Sequence, residues 1–301
     1  MNAHVDPANA YQSLSQTTGA DDPRWAFGTG VADVPAEITA PVPAGVDPDD
    51  LVAYCLMLGD DALICSHRLS EWVACAPELE EEVALANIAL DLLGQSRVLL
   101  ARAGHVEGRG RDEDALAYHR NEPEFRNVAL AELGDGLDFG HAMARLLVFA
   151  TWRLALLGRL PGSRDPVLAA VAGRGVQELT YHRDYAARWT LRLGDGTDES
   201  HARMQAGLDA VWPHVEELYI GSEQERRLAA AGVAVDPGEL RAEVDAVLDE
   251  VLPLAALTRP AVAPAGRIAG RGGRQGVHTE ALGHVLGQLQ SLARRHPGAI
   301  W

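Results

Sequence analysis

Three polar residues lie in line on a segment that is otherwise suited to burial. Residues 80–100, EEEVALANIALDLLGQSRVLL, form an almost continuously apolar predicted helix that Asn87, Asp91 and Gln95 interrupt. Residues four apart in a helix lie on the same face, one above another. A carboxylate between two amides could contribute to a metal site or to a buried hydrogen-bonded network. The residues on the neighbouring helices must distinguish these two hypotheses.

Two other predicted helices each carry a histidine and a carboxylate four residues apart, His67 with Glu71 and Glu178 with His182. Carboxylates and imidazoles are the ligands of ferritin-like di-iron centres. In those centres, two helices each give one carboxylate and the other two each give a Glu-x-x-His pair. The residues that such a site could use are His67, Glu71, Asn87, Asp91, Glu178 and His182.

The helix predicted over residues 139–160 argues against a di-iron site, because it contains neither Asp nor Glu. The chain contains no Glu-x-x-His. Its two Asp-x-x-His sequences begin at Asp138 and Asp198, at predicted helix starts where Asp is a capping residue. We therefore interpret the six residues as a buried polar network at a degenerate di-iron position, since buried charges must be paired. The candidate neutralising cations are Arg68, Arg145 and Arg153.

Four long predicted helices, in two pairs joined by a connector, indicate an all-α fold. We expect a ferritin-like four-helix bundle over residues 46–301, with additional peripheral helices from 197–255 and 278–296. Residues 1–45, rich in Pro, Ala and Asp, are expected to be a flexible N-terminal extension. The bundle helices are predicted over residues 48–76, 80–103, 139–160 and 165–193.

The composition narrows the class of partner. The 301 residues carry a formal net charge of −17, which disfavours binding to nucleic acid. We find no signal peptide, and the apolar run over residues 51–58 is too short to span a membrane. Three cysteines in a helical context suit a reducing compartment. We therefore expect a cytoplasmic protein that binds neither nucleic acid nor membrane.

A basic, glycine-rich segment stands out in this acidic chain. GRIAGRGGRQGVHTE, residues 266–280, contains Arg267, Arg271 and Arg274. It is typical of a solvated loop. The functional alternative is a contact with an acidic partner or with the phosphates of coenzyme A, which guanidinium groups bind well.

Several long strings resemble one protein family. LEEEVALANIALDLLGQSRVLLARAG, EPEFRNVALAE, RLGDGTDESHARMQ and GVHTEALGHVLGQLQSLARRHPGAIW are similar to the C subunits of phenylacetyl-CoA epoxidase complexes, also called ring 1,2-phenylacetyl-CoA monooxygenases. The resemblance covers the chain from about residue 47 to its end. It implies a ferritin-like fold and membership of a hetero-oligomeric oxygenase of phenylacetate catabolism, a route of aromatic degradation.

The resemblance also implies a division of labour. In this family the di-iron centre belongs to the catalytic A subunit, whereas the C subunit is its structural partner without a working metal site or other cofactor. A reductase delivers electrons from NADPH through FAD and an iron–sulfur cluster. The complex uses O₂ to convert the aromatic ring of phenylacetyl-CoA to a 1,2-epoxide.

The residues leave two alternatives open. One is an autonomous di-iron oxygenase or oxidase that uses Glu71, Asp91, Glu178 and His182. The other is a free-standing helical interaction protein with no oxygenase partner.

Overall fold

A computed structural model describes residues 36–134, 136, 138–268 and 271–297. These residues form α-helices and short 3₁₀ turns, with a single isolated bridge between Ile268 and Arg271 and no β-strand among them. The predicted all-α class is confirmed. The helices are α1 (Pro48–Ser70), α2 (Leu79–Glu107), α3 (Glu113–Tyr118), α4 (Ala129–Glu132), α5 (Phe139–Arg159), α6 (Pro166–Gly194), α7 (Asp198–Val211), α8 (Glu223–Ala230), α9 (Arg241–Leu254) and α10 (Glu280–Arg295).

The four long helices α1, α2, α5 and α6 form the bundle. Helix α1 packs along α2, α5 packs along α6, and α2 and α6 join the two pairs. Leucine, alanine and valine fill most of the core, as the sparse aromatic content of the sequence requires. Helix α7 approaches the start of α5 closely, because a Cβ atom on Gly207 would lie 2.7 Å from the His141 Cα atom.

Aspartates begin three of the bundle helices. The side chains of Asp47, Asp138 and Asp165 each accept hydrogen bonds from backbone amides in the first turns of α1, α5 and α6. Such caps satisfy amides that have no partner within the helix. The capping role predicted for Asp138 is confirmed, whereas the cap of α7 is Thr197 and Asp198 is the first residue of that helix.

Helix α1 ends at Ser70, before the predicted end at residue 76. The chain turns there because Trp72 is buried against Phe139 of α5, with ring centroids 5.5 Å apart in an edge-on arrangement. Ala74 then adopts a left-handed conformation, with φ of 68°, which a helix cannot accommodate.

Packing of the helical domain begins before the predicted boundary at residue 45. Ile38 is buried, and its carbonyl oxygen and that of Ala40 both accept hydrogen bonds from Arg102 Nη1 of α2. Residues 1–35, the rest of the predicted flexible extension, lie outside the described residues.

By length and composition, α2 is the one helix in the described part of the chain that could cross a membrane. This is a weak indication, because core helices of soluble proteins satisfy the same criterion. Helix α2 packs against both α1 and α6. It also carries Arg102, a charged side chain with no exposed surface, in an ion pair with Asp165 at the start of α6. These contacts favour a core helix.

Candidate functional site

A buried arginine lies at the centre of the bundle. The guanidinium of Arg153 on α5 has no exposed surface, and its Nε atom donates to Gln95 Oε1 of α2 at 3.0 Å. Its Nη2 atom donates to the Leu58 carbonyl oxygen of α1 at 3.2 Å. Gln95 in turn donates from Nε2 to Glu178 Oε2 of α6 at 2.8 Å. One chain of hydrogen bonds therefore connects all four bundle helices.

The groups that accept from Arg153 are neutral, so its charge is balanced at longer range. Burial holds the pKa of Arg153 below its usual value, although the nearby carboxylate of Asp61 opposes that shift. A guanidinium has so high an intrinsic pKa that it keeps its proton in proteins. The centre of the bundle therefore holds a fixed positive charge.

Asp91 of the polar stripe faces a histidine. His182 Nε2 on α6 lies 3.0 Å from Asp91 Oδ2 on α2, with the imidazole fully buried and the carboxylate about one-third exposed. This pair and the Gln95–Glu178 bond lie one turn apart along the same α2–α6 contact, because the two polar residues of α2 are four positions apart. The structure thus brings together Asp91, Glu178 and His182 of the six candidate residues.

His67, Glu71 and Asn87 lie outside this network. Glu71 accepts two hydrogen bonds from Arg68, its neighbour three residues back, at 2.8 and 3.1 Å. His67 interacts with Gln288 of α10, and burial lowers its pKa. Asn87 is half-buried, with no side-chain hydrogen bond to the residues that the structure describes. The structure therefore does not join these three residues to the α2–α6 contact. The end of α1 contacts α10 instead.

The arginines predicted as neutralising cations differ in position. Arg68 binds Glu71 and the backbone carbonyl of Glu132 at the edge of the bundle. Arg145 is buried on α5 and lies 3.4 Å from the Ala131 carbonyl oxygen. Arg153 bonds to the line of polar residues on α2, through Gln95.

Two adjacent aspartates of α1 form buried ion pairs that the sequence analysis missed. Asp60 accepts from Arg120 Nη1 at 3.0 Å. Asp61 accepts from Arg274 Nη1 and Nη2 at 3.0 and 2.8 Å, and from the Val128 amide at 2.8 Å. The sequence feature that could have predicted these ion pairs is the pair of adjacent aspartates inside an apolar helix, because buried charges need partners.

The basic loop divides between surface and core. Arg267 and Arg271 are exposed and bind the side-chain and backbone oxygen atoms of Gln275. Arg274, by contrast, is buried and forms an ion pair with Asp61, so within this chain its side chain already has a partner. A short turn over residues 273–275 places its side chain inside the domain.

Near the end of the same segment, His278 forms an ion pair with Glu132 in which neither side chain has exposed surface. His278 Nδ1 lies 2.9 Å from Glu132 Oε2, and Nε2 lies 3.1 Å from the Phe125 carbonyl oxygen. Both ring nitrogens face acceptors, so both must donate, which is the state of a protonated imidazole. The Glu132 carboxylate also accepts from the Thr279 amide at 2.6 Å and from Asn127 Nδ2 at 2.8 Å.

Comparison with known proteins places this bundle in a family. The sequence profile of the family described as phenylacetic acid catabolic protein matches residues 41–301. The chain is also 42% identical over 253 residues to the C subunit of 1,2-phenylacetyl-CoA epoxidase from Escherichia coli (strain K12), an alignment that covers 84% of this chain and 100% of that protein. The chain belongs to the phenylacetic acid catabolic protein family. The resemblance to the C subunits of these epoxidases, stated from the sequence, is confirmed.

A di-iron centre is the group that the ferritin-like architecture implies, and the residues of this family member do not fit it. The described residues contain no group of three or more His, Cys, Asp or Glu side chains arranged to hold a metal ion. At the bundle centre, α5 contributes the cationic Arg153, and it contains no Asp or Glu to serve as the carboxylate ligand that such a centre requires from each helix. A fixed positive charge at that position opposes the binding of a di- or trivalent cation.

The His278–Glu132 pair predicts a pH dependence of stability. Burial alone would lower the pKa of His278, but the hydrogen bond and charge of Glu132 outweigh it, and the pKa lies above its usual value. Because the pKa is raised on folding, the stabilisation is complete below about pH 6.5, the ordinary value for histidine, and is lost as the pH rises through the folded value. We expect the difference in unfolding free energy between wild type and His278→Gln, measured in denaturant, to shrink as the pH increases. A difference that stays constant or grows would contradict a protonated imidazole.

Proposed function

We propose that the chain is a non-catalytic structural subunit of a cytoplasmic, multicomponent 1,2-phenylacetyl-CoA epoxidase. In this proposal it pairs with the catalytic subunit that carries the di-iron centre, and it holds that partner in its active form. The complex epoxidises the ring of phenylacetyl-CoA with O₂, and a reductase supplies electrons from NADPH through FAD and an iron–sulfur cluster. This chain itself binds none of these cofactors.

The observation that carries the non-catalytic assignment is the buried guanidinium of Arg153. It donates to Gln95 and to the Leu58 carbonyl oxygen inside the bundle, from a helix that contains no carboxylate. A hydrogen-bonded cation there stabilises the arrangement of the four helices without metal. Rigid helices are what a supporting subunit must offer, because a catalytic centre tolerates displacements of only about half an ångström.

The assignment to the epoxidase rests on the match to its C subunit, which extends over the full length of that relative. An autonomous di-iron oxygenase is disfavoured, because Glu71, one of its four required residues, is paired with Arg68 outside the α2–α6 contact. A free-standing interaction protein would explain the fold but gives no account of the long alignment.

The test is metal analysis joined to one substitution. We expect the purified chain to retain negligible iron after anaerobic reconstitution. We expect Glu178→Ala to leave the turnover of the reconstituted complex within about twofold while lowering the unfolding free energy of the chain by about 1–3 kcal/mol, because the buried Gln95 loses its acceptor.

Glu199→Ala is the matched control, since Glu199 forms an exposed pair with Arg203. It should change neither activity nor stability measurably. Stoichiometric iron in the isolated chain, or loss of turnover in a folded Glu178→Ala complex, would refute the structural role.

A further inference from the structure

Helix α2 has a second apolar face that the bundle does not cover. Leu79, Val83, Leu90 and Leu93 are 70%, 47%, 56% and 43% exposed. Together with the half-buried Ala86 they define what we call the α2 stripe. The stripe lies away from the buried residues of the same helix, which already pack against α1 and α6. A helix that is apolar on both faces is normally covered on both.

The spacing of the stripe indicates what covers it. Its members follow one another at intervals of four, three, four and three residues, and Arg97 continues the series four residues later. This is a repeat of 3.5 residues, the period at which side chains of one helix insert between those of another helix lying along it. The period therefore favours an α-helix over a loop or a strand.

The charged residues at the two ends of the α2 stripe indicate which charges the partner helix carries and in which direction it runs. Acidic residues surround the beginning of the stripe, where Glu78 and Glu80 are exposed and Glu82 is half-buried. At its far end, the Arg97 side chain is 41% exposed although it also pairs with Glu113. A complementary helix must carry basic residues opposite the beginning and an acidic residue opposite Arg97. A helix of the same design fulfils this when it runs antiparallel.

The exposed face of α2 is too small to form a stable protein interface without surface from another helix. From Leu79 to Arg97 the helix rises about 27 Å, and a strip about 10 Å wide along that length covers about 270 Å². A stable interface buries about 800 Å² on each partner. The neighbouring edge of α6 supplies further surface, because Tyr181 is 46% exposed and close to Glu81 and Asp91, whose charges add to burial in raising the pKa of Tyr181.

A cleft at this edge can receive a side chain of the partner. It has a volume of about 270 Å³ and is lined in part by Tyr181, Tyr185 and Trp189 of α6. Tyr185 and Trp189 are held in place by hydrogen bonds to Glu81 of α2. Rigid aromatic side chains around a pocket are typical of the strongest contacts in protein interfaces.

We propose that the α2 stripe and the Tyr181 edge of α6 form the face on which this chain binds the helical bundle of the di-iron subunit, along an antiparallel apolar helix of that partner. This rests on the proposed function and adds to it the surface and the kind of contact. A second copy of this chain, whose α2 would present the same pattern, is the competing occupant that the experiment must separate.

The experiment compares substitutions of leucine by aspartate within the α2 stripe with the same substitution elsewhere on the surface. The full-length chain is co-expressed with the di-iron subunit of the same organism. It is made as wild type and as Leu90→Asp, Leu93→Asp, Tyr181→Ala or Leu254→Asp. Affinity is then measured on the separated proteins. Leu254 is 64% exposed on α9 and serves as the matched control. Circular dichroism and the unfolding midpoint establish that each variant is folded.

We expect Leu90→Asp and Leu93→Asp to weaken binding to the di-iron subunit by at least about 100-fold, because a buried unpaired carboxylate opposes association. Tyr181→Ala should weaken binding about tenfold. Leu254→Asp should stay within about twofold of wild type. Folded stripe variants that bind like Leu254→Asp would overturn the surface while leaving the proposed function standing.

Two other outcomes of the binding experiment can be distinguished from an unchanged affinity of the stripe variants. If the chain alone forms a dimer that Leu90→Asp dissociates, while binding to the di-iron subunit persists, then the face belongs to a second copy and the proposal is wrong. If the folded wild-type chain does not bind the di-iron subunit, the proposed function fails and the surface proposal fails with it.

Discussion

Replacing Arg274 by alanine should lower the unfolding free energy of the chain by about 3–5 kcal/mol, because it leaves the Asp61 carboxylate buried without its cation. Asp61 has no exposed side-chain surface, and the two guanidinium nitrogens of Arg274 lie 3.0 and 2.8 Å from its oxygens. Arg274 Nη1 also donates to the backbone carbonyls of Met57 and Arg126. The substitution therefore removes the contact that fastens the basic loop to α1. Chemical denaturation followed by circular dichroism measures the loss.

Arg267→Ala provides the control in the same loop. Arg267 is exposed, and its side chain bonds to Gln275. Its loss should change the unfolding free energy by no more than about 0.5 kcal/mol. If the two substitutions lowered the unfolding free energy equally, Arg274 would not be more buried than Arg267. A small loss for Arg274→Ala would show that water reaches Asp61.

Arg102→Ala should be comparably destabilising, by about 3–5 kcal/mol, because it breaks an ion pair in which neither side chain has exposed surface. Arg102 Nη2 and Nε donate to Asp165 Oδ2 at 2.6 and 3.2 Å. The other oxygen of Asp165 accepts from the first amides of α6, so the same carboxylate begins that helix. The substitution also leaves the carbonyls of Ile38 and Ala40 without their donor.

Two measurements test this second effect. The unfolding free energy is compared with that of Arg97→Ala, a substitution on the same helix as Arg102. It removes a partly exposed pair with Glu113 of α3 and should cost less than about 1 kcal/mol. Limited proteolysis should cut Arg102→Ala faster than wild type near residues 36–40, because these residues lose their attachment to α2. Unchanged cleavage would mean that Ile38 alone holds this segment.

The sequence alone was enough for the class of fold and for part of the candidate site. Periodicity and capping residues are local properties, and they located the four bundle helices to within a few residues, apart from the end of α1. The absence of carboxylates from α5 is also a property of one segment, and it argued against a di-iron centre before any contact was known. The line of Asn87, Asp91 and Gln95 followed from helix geometry, although the structure bonds only the last two.

The tertiary structure decided which charged groups meet. Helical spacing gives the face on which a side chain lies but not the element opposite that face. Arg274 is more than two hundred residues from Asp61 in sequence and appeared to be a surface residue, because a glycine-rich basic loop resembles a solvated one. Arg153 could be placed against Gln95 only once α5 and α2 had been packed together. Burial couples residues that are distant in sequence, because a charge removed from water must find its partner wherever the fold brings one.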